Sequence, residues 1–347
     1  MRNESVMKKM KVTVLYNNPG TSSTKDIEEA DNDTRDSAVA IATELKDWGY
    51  ETETMGIGVE DIPRVKKLKT DFVFNLIEWS GKEWKYGVEV ISALEESGVP
   101  YSGSNGRGYQ ISCDKVLMKN LFDKYGIPTP KWKVVTQVQD LIEDGRLTYP
   151  VIIKPVYEHC GIGIAQDSVC VNYKETERKV IHTLDEYKQP VLVEEFIEGI
   201  EAHVTVLERR GRPWVLPIAT FEYEKKSGYW PVMSYEAKWK KGSWEGKMSH
   251  WIKQELASEL RKKIENIAVK CYAKLGGRDY PRLDMRIRGE EVLVLEINNN
   301  PGLDFDEQVG IGRSARMVGF SFGKLLDHIV KNALYRWKES RHDATSV

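Results

Sequence analysis

Apolar residues recur along this chain at two periods. Residues 12–16, Val-Thr-Val-Leu-Tyr, are a short apolar run that predicts a strand. After a polar stretch at 17–36, Ala38, Ile41, Ala42, Leu45 and Trp48 follow helical spacing until Gly49 stops them. Residues 71–76 read as a buried strand, and Val88, Ile91 and Leu94 mark another helix. This strand–helix–strand–helix order predicts a small parallel α/β unit over residues 1–110. A second unit opens at Asp114-Lys115, whose helix carries Val116, Leu117, Leu121, Phe122 and Tyr125 and stops at Pro128 and Pro130. Further strands are predicted at 151–154, 191–196, 202–207 and 214–221, with a long polar, aromatic-rich loop at 223–249. An amphipathic helix follows through Ile252, Leu256, Leu260, Ile264, Ala268, Cys271 and Leu275.

Residues 281–298 are the most informative. Two alternating runs flank Gly289, which predicts a β-hairpin. A three-residue loop of Gly289, Glu290 and Glu291 would pair Leu283 with Ile297, Met285 with Leu295 and Ile287 with Leu293, a wholly apolar face. On the other face Asp284 then opposes Glu296, and Arg282 opposes Asn298. Directly opposed carboxylates repel, so something positive belongs between them. Two readings are open: a hard cation such as Mg²⁺ held by Asp284, Glu296 and Asn298, or a solvated sheet face compensated by Arg282 and Arg286.

Length and charge narrow the classes. At roughly 150 residues per domain, 347 residues make two to three domains. The net charge of −2 argues against broad nucleic-acid binding, though not against a local basic pocket. No apolar run is long enough to span a membrane, and the first ten residues carry charge without an apolar core, so no secretory leader is expected. The four cysteines show no paired spacing, and a reduced, cytoplasmic protein is expected.

Lys154 ends an apolar strand before a turn containing Glu158, Gly161, Ile162 and Gly163, a pattern suited to a phosphate or to an unliganded turn. Neither the P-loop nor the dinucleotide spacing is present. Six segments in order then resemble the ATP-grasp superfamily, and within it the D-alanine–D-alanine ligase-like family. They are Val-Ile-Ile-Lys-Pro at 151–155, the turn at 161–163, Val-Glu-Glu-Phe-Ile-Glu-Gly-Ile-Glu at 193–201, Tyr-Glu-Ala-Lys at 235–238, Arg-Leu-Asp at 282–284 and Glu-Ile-Asn-Asn-Asn-Pro-Gly at 296–302.

The resemblance implies an N-terminal α/β domain followed by a two-subdomain ATP-grasp fold, divided at 111–205 and 206–347. It implies ATP and Mg²⁺ (one or two ions, with Mn²⁺ able to substitute) as cofactors. Lys115, Lys154 and Lys238 would contact phosphates under the turn of Glu158, Gly161, Ile162 and Gly163. Glu194, Glu195, Phe196 and Ile197 would read adenine, and Glu201 the ribose. Asp284, Glu296 and Asn298 would hold metal, while Arg282 and Gly302 stabilise a tetrahedral intermediate. The implied activity joins a small carboxylic acid to an amine through an acyl phosphate, without nucleic-acid or membrane partners. The resemblance also allows a homodimer.

The sequence departs from the family in the substrate region. The N-terminal Gly-Gly-x-Ser-x-Glu element is replaced by Asn17-Asn18-Pro19-Gly20-Thr21-Ser22-Ser23. The first-domain histidine is lost in the stretch containing Glu78, and the Ser-Ser of the glycine turn is Cys160-Gly161. The lid tyrosine is Trp239, and Glu307 stands where a serine clamps the second substrate's carboxylate. Substrates other than two D-alanines are expected, with Glu78, Cys160, Trp239 and Glu307 near them. Adjacent turn residues usually point apart, so His159 and Cys160 are not expected to form a nucleophilic pair. The six histidines lack metal spacing, so no zinc is expected. Two alternatives stay open: a nucleotide-binding regulatory protein with a decayed substrate site, and acyl transfer to a non-amine nucleophile.

Overall fold

The computed structural model describes residues 9–18, 25–240, 242–252, 255–303, 305 and 310–345. The first apolar run becomes β1 (Lys11–Asn17), paired in parallel with β2 (Glu51–Ile57) and β3 (Phe72–Asn75) in the order β2-β1-β3. Sequence reading misses β2 because it is an edge strand, largely exposed and carrying alternate acids. Helix α1 (Lys25–Asp47) begins inside the stretch read as polar. The connection from β2 holds α2 (Ile62–Val65), and α3 (Trp84–Ser97) and α4 (Gly106–Cys113) follow β3. Asp114 then caps α5 (Lys115–Tyr125), accepting from the amides of Val116 and Leu117 at 3.0 Å each.

A second, antiparallel sheet has the order β4-β7-β5-β6. Its strands are β4 (Trp132–Val135), β5 (Val151–Pro155), β6 (Val169–Cys170) and β7 (Val191–Glu195), backed by α6 (Tyr173–Tyr187). The third sheet runs β11-β10-β8-β12-β13, with β9 also paired to β8. These are β8 (Ile200–Arg209), β9 (Arg212–Val215), β10 (Ala219–Tyr223), β11 (Ser249–Ile252), β12 (Arg282–Arg288) and β13 (Glu291–Asn298). Residue 205, the boundary expected between the second and third units, falls in the middle of β8, whose partners all belong to the third sheet.

Three sequence expectations need correction. The single strand at 214–221 is two strands, β9 and β10, parted by Pro217, which has no amide to donate to a ladder. Ile252 does not start the amphipathic helix; it ends β11 opposite Thr220, and the helix is α8 (Ser258–Lys274). The loop at 223–249 contains a short helix, α7 (Tyr235–Trp239), capped by the Ser234 hydroxyl. The chain finishes with α9 (Gly310–Met317) and α10 (Phe322–Thr345), whose apolar faces pack with α1 over β1 and β3.

The hairpin is built differently from its expected register. Its loop is two residues, Gly289 and Glu290, so Arg288 faces Glu291, Ile287 faces Val292 and Met285 faces Val294. A β-bulge then leaves Leu295 unpaired, and the ladder resumes with Asp284 opposite Glu296, Leu283 opposite Ile297 and Arg282 opposite Asn298. The expected pairs Met285–Leu295 and Ile287–Leu293 do not form. Near the turn Arg288 and Glu291 form an ion pair across the shorter loop, and the bulge returns Ile297 to the core face.

Candidate active site

The strand ends of the second and third sheets, the first turn of α5 and the 223–249 loop converge on one region. In β12 and β13, alternation aims Arg282, Asp284 and Arg286 away from the core. Asp284 accepts from Arg282 Nε at 2.7 Å and Nη2 at 2.9 Å. Asn298 Nδ2 lies 3.3 Å from Asp284 and 3.4 Å from Glu296, so the positive end of an amide dipole bridges the two carboxylates. Burial alone would raise the Asp284 pKa, but Arg282 and then His203 hold it well below the usual carboxylate range. Of the two compensating arginines, only Arg282 serves Asp284. Arg286 pairs with Glu201 at 2.7 Å, and Tyr223 donates to the same carboxylate at 3.0 Å.

The lysines gather opposite this hairpin. Lys115 donates to the Glu158 carbonyl, and burial lowers its pKa while Glu296 opposes the shift. Lys154 pairs with Glu194, as does Lys119 at 2.7 Å; Lys119 and Glu194 are each 1% exposed. Burial works against the Glu194 carboxylate, yet Lys119 and then Lys154 bring its pKa down to about 2. The Glu194 side chain, expected to read adenine, is therefore engaged by two lysines. Glu195 accepts from the Thr148 amide, and its own amide and that of Phe196 donate to Lys131 and Pro150. Phe196 and Ile197 are buried, Phe196 edge-on to Trp230.

The glycine turn and the α7 loop touch. Gly161 and Gly163 have φ of 81° and 78°, and a Cβ on Gly161 would stand 3.3 Å from the Tyr235 amide nitrogen. Tyr235 N donates to the Ile164 carbonyl at 3.0 Å, and the Trp239 indole donates to the Cys160 carbonyl at 3.1 Å. Ile162 is buried beneath this contact. Glu158 accepts from Gln189 at 2.8 Å, and burial raises its pKa.

The substrate-side residues behave unexpectedly. Cys160 has φ of 57°, a left-handed conformation, and this turns its side chain toward that of His159 instead of away from it. His159 Nδ1 is 3.4 Å from Cys160 Sγ and 3.4 Å from Glu78, and its Nε2 is 2.8 Å from Ser80 Oγ. Burial opposes charge on His159, but Glu78 and then Cys160 raise its pKa to about 9. Burial likewise opposes the Cys160 thiolate, yet Lys238 and His159 hold the thiol below its ordinary value. Lys238 is kept charged against burial mainly by Cys160, while the nearby Arg282 charge opposes it. Gly302 is exposed on the loop after β13. Glu307 and residues 19–24 lie outside the described residues.

Sequence reasoning missed Lys119 and His203. Lys119 lies one helical turn beyond Lys115, but its role follows only from the approach of Glu194 on β7. His203 has no local signal: it faces Asp284 only through the β8–β12 register, 3.7 Å from Asp284 and from Glu201.

The D-ala D-ala ligase C-terminus family matches residues 121–331. An uncharacterised protein, y4sG, of Sinorhizobium fredii is 30% identical over 266 residues, 76% of this chain and 75% of that one. D-alanine–D-alanine ligase A of Bacillus cereus is 28% identical over 278 residues, 79% of this chain and 85% of the relative. The crystal structure of D-alanine–D-alanine ligase from Bacillus anthracis complexed with ATP shares the fold with a TM-score of 0.74, covering 95% of this chain and 99% of that chain at 24% identity. Hairpin, lysines, glycine turn and sequence match together assign the chain to the D-alanine–D-alanine ligase family of ATP-grasp ligases.

Proposed function

We propose that this protein is a Mg²⁺-dependent ligase that activates a small carboxylic acid with ATP and couples it to an amine, on substrates other than two D-alanines. The observation that carries the reading is the opposed pair Asp284 and Glu296, held beside Arg282 with Lys115 in the field of Glu296. Family membership supports ATP as the phosphoryl donor, and a reaction that consumes ATP fits a cytoplasmic protein. Among the described residues no helix is long and apolar enough to cross a membrane.

The donor set fits a hard divalent cation. Two carboxylates and a side-chain amide face one point, and a flipped Asn298 amide would turn its oxygen to where its nitrogen now bridges them. Bound there by Asp284, Glu296 and Asn298, Mg²⁺ would supply charge neutralisation for the β- and γ-phosphates. The chain's own groups do the rest. Lys115 and Lys154 draw the phosphates against the second sheet, and the glycine turn offers backbone amides above them. Lys238 approaches from α7 and, with the Trp239–Cys160 contact, closes the site against water that would hydrolyse an acyl phosphate.

The substrate carboxylate attacks the γ-phosphorus and ADP leaves. The amine then attacks the acyl carbon, phosphate departs, and the amine's proton is lost. Arg282 and the Gly302 amide support the oxyanion; removing one such donor typically costs about 10²–10³ in rate. Arg282 is fixed by Asp284, so its guanidinium is positioned before substrate arrives. We further propose three units, with the second boundary in the β7–β8 connection instead of at 205. The intact set of Lys154, Arg282, Asp284, Glu296 and Asn298 favours this reading over a decayed regulatory site.

The test is hydroxylamine trapping across a panel of carboxylic acids with Mg-ATP. An acid-dependent hydroxamate is expected, absent in Glu296→Gln while that variant keeps the wild-type melting profile. Efficient D-alanyl-D-alanine synthesis would overturn the substrate claim, and undiminished turnover by Glu296→Gln would overturn the metal assignment.

A further inference from the structure

The trio of Glu78, His159 and Cys160 joins residues far apart in sequence. Glu78 follows β3 in the N-terminal unit, and His159-Cys160 is the glycine turn of the second sheet. One ligand atom from each lies within 4.8 Å of the other two. His159 Nδ1 is 3.4 Å from both Cys160 Sγ and the Glu78 carboxylate. In a tetrahedral zinc site, bonds of about 2.0–2.3 Å put neighbouring donor atoms roughly 3.3–3.8 Å apart. The two 3.4 Å spacings from His159 Nδ1 fall within that range, and the third lies within 4.8 Å.

Three further observations agree. The free imidazole nitrogen meets Ser80 Oγ at 2.8 Å, the type of outer partner that orients a metal-bound histidine. Cys160 holds a left-handed backbone, a conformation unfavourable for a residue with a Cβ, and that conformation is what turns two adjacent side chains to one point. The trio is also partly accessible: the side chains of His159 and Glu78 are 13% and 27% exposed, which leaves an entry path.

We propose that Glu78, His159 and Cys160 form a three-ligand site for a thiophilic divalent cation of the Zn²⁺ class, with a fourth position open to water or to a donor atom of the substrate. The site is separate in chemistry from the all-oxygen set of Asp284, Glu296 and Asn298, because nitrogen and sulfur select borderline metals over Mg²⁺. Binding displaces the proton from His159 Nδ1, and any proton still on Cys160, into solvent. Lys238 competes with the metal for the Cys160 sulfur, so its ammonium sets a ceiling on affinity. The site stands whether or not the ligase reading holds, since its readout needs no nucleotide.

The test is titration of the full chain with Co²⁺ in excess Mg²⁺, following the near-ultraviolet sulfur-to-cobalt band and the visible bands of tetrahedral cobalt. Saturation near one equivalent is expected, with reversal by Zn²⁺ and loss of the sulfur band in Cys160→Ser. Glu78→Gln should weaken binding about tenfold or more, and Lys238→Met should tighten it. Replacing Cys113, Cys170 and Cys271 by Ser should leave the band in place. No sulfur band at millimolar cobalt, or a band that survives in Cys160→Ser, overturns the proposal. If Cys160→Ser fails to fold, His159→Gln decides the matter: unchanged cobalt affinity in a folded variant overturns it equally.

Discussion

Glu194→Gln tests the buried charge cluster beneath the phosphate lysines. The wild-type carboxylate is 1% exposed, between Lys119 and Lys154, with its pKa drawn from 4.5 to about 2. At about 1.4 kcal/mol for each tenfold in acidity, this corresponds to roughly 3 kcal/mol of native-state preference for the ionised form. That stability is fully present above pH 4.5 and is lost as pH falls through about 2. Burial acts on Lys119 in the opposite sense, lowering its pKa, so the net worth of the pair is smaller than the carboxylate alone suggests. The amide leaves Lys119 buried without its counter-charge, and breaking such a pair from one side costs about 3–5 kcal/mol. The lysine then folds neutral and regains its proton on unfolding. The unfolded state binds more protons, so stability of the variant rises with pH from the depressed Lys119 value toward 10.5, by up to about 1.4 kcal/mol per pH unit. Urea unfolding between pH 6 and 9 measures both the loss and the slope. The double variant Lys119→Met/Glu194→Gln should recover most of the stability and lose the slope. A single variant within about 1 kcal/mol of wild type, flat in pH, would refute the reasoning.

Arg286→Met should cost about 3–5 kcal/mol in urea unfolding, because it strands the buried Glu201 carboxylate that Arg286 pairs at 2.7 Å; the sign would be checked by Arg286→Met/Glu201→Gln, which should be the more stable of the two. Gly161→Ala combines an unfavourable φ of 81° with a Cβ 3.3 Å from the Tyr235 nitrogen, so it should push α7 off the glycine turn. Faster proteolytic nicking within 223–249 and reduced turnover are expected, whereas unchanged nicking would show that the contact is not holding the loop.

The hairpin shows what sequence can and cannot specify here. Alternation in 282–288 and 291–298 placed Asp284 opposite Glu296 correctly, since only that pairing also buries Leu283 against Ile297. It missed the bulge at Leu295, because a bulge trades one unpaired residue for a shorter turn and leaves the apolar count of the face unchanged. The glycine turn was legible as a phosphate-type turn, but the convergence of His159 and Cys160 was not. It depends on a left-handed φ at a non-glycine residue, which sequence patterns assign to glycine or asparagine. Lys119 illustrates a different gap: a lysine among Met118, Leu121 and Phe122 reads as surface, and only the approach of Glu194 from β7 explains its burial.

Three consecutive asparagines after the hairpin join these features mechanically. Asn298 bridges Asp284 and Glu296. Asn299, fully buried, donates its backbone amide to the Ser112 hydroxyl oxygen and its side-chain amide to the carbonyls of Gly108 and Leu275, tying β13 to α4 and to the end of α8. Asn300 accepts from Tyr280 at 3.0 Å and reaches the carbonyls of Asn75 and Ile77, directly before Glu78. Each link to a backbone group replaces water there, and losing one strands a partner at a cost of about 1–3 kcal/mol. The carboxylate pair of the third sheet and the Glu78 segment of the first are thus held in one frame, and the Gly302 loop leaves from it. A displacement of Glu78 by metal or substrate would be carried through Asn300 to the residues beside Asp284 and Glu296. Asn300→Ala should therefore weaken any coupling between cobalt affinity at the Glu78 trio and nucleotide affinity at the hairpin, while changing each affinity alone far less; equal losses in the two single affinities, with coupling intact, would show that the frame does not transmit.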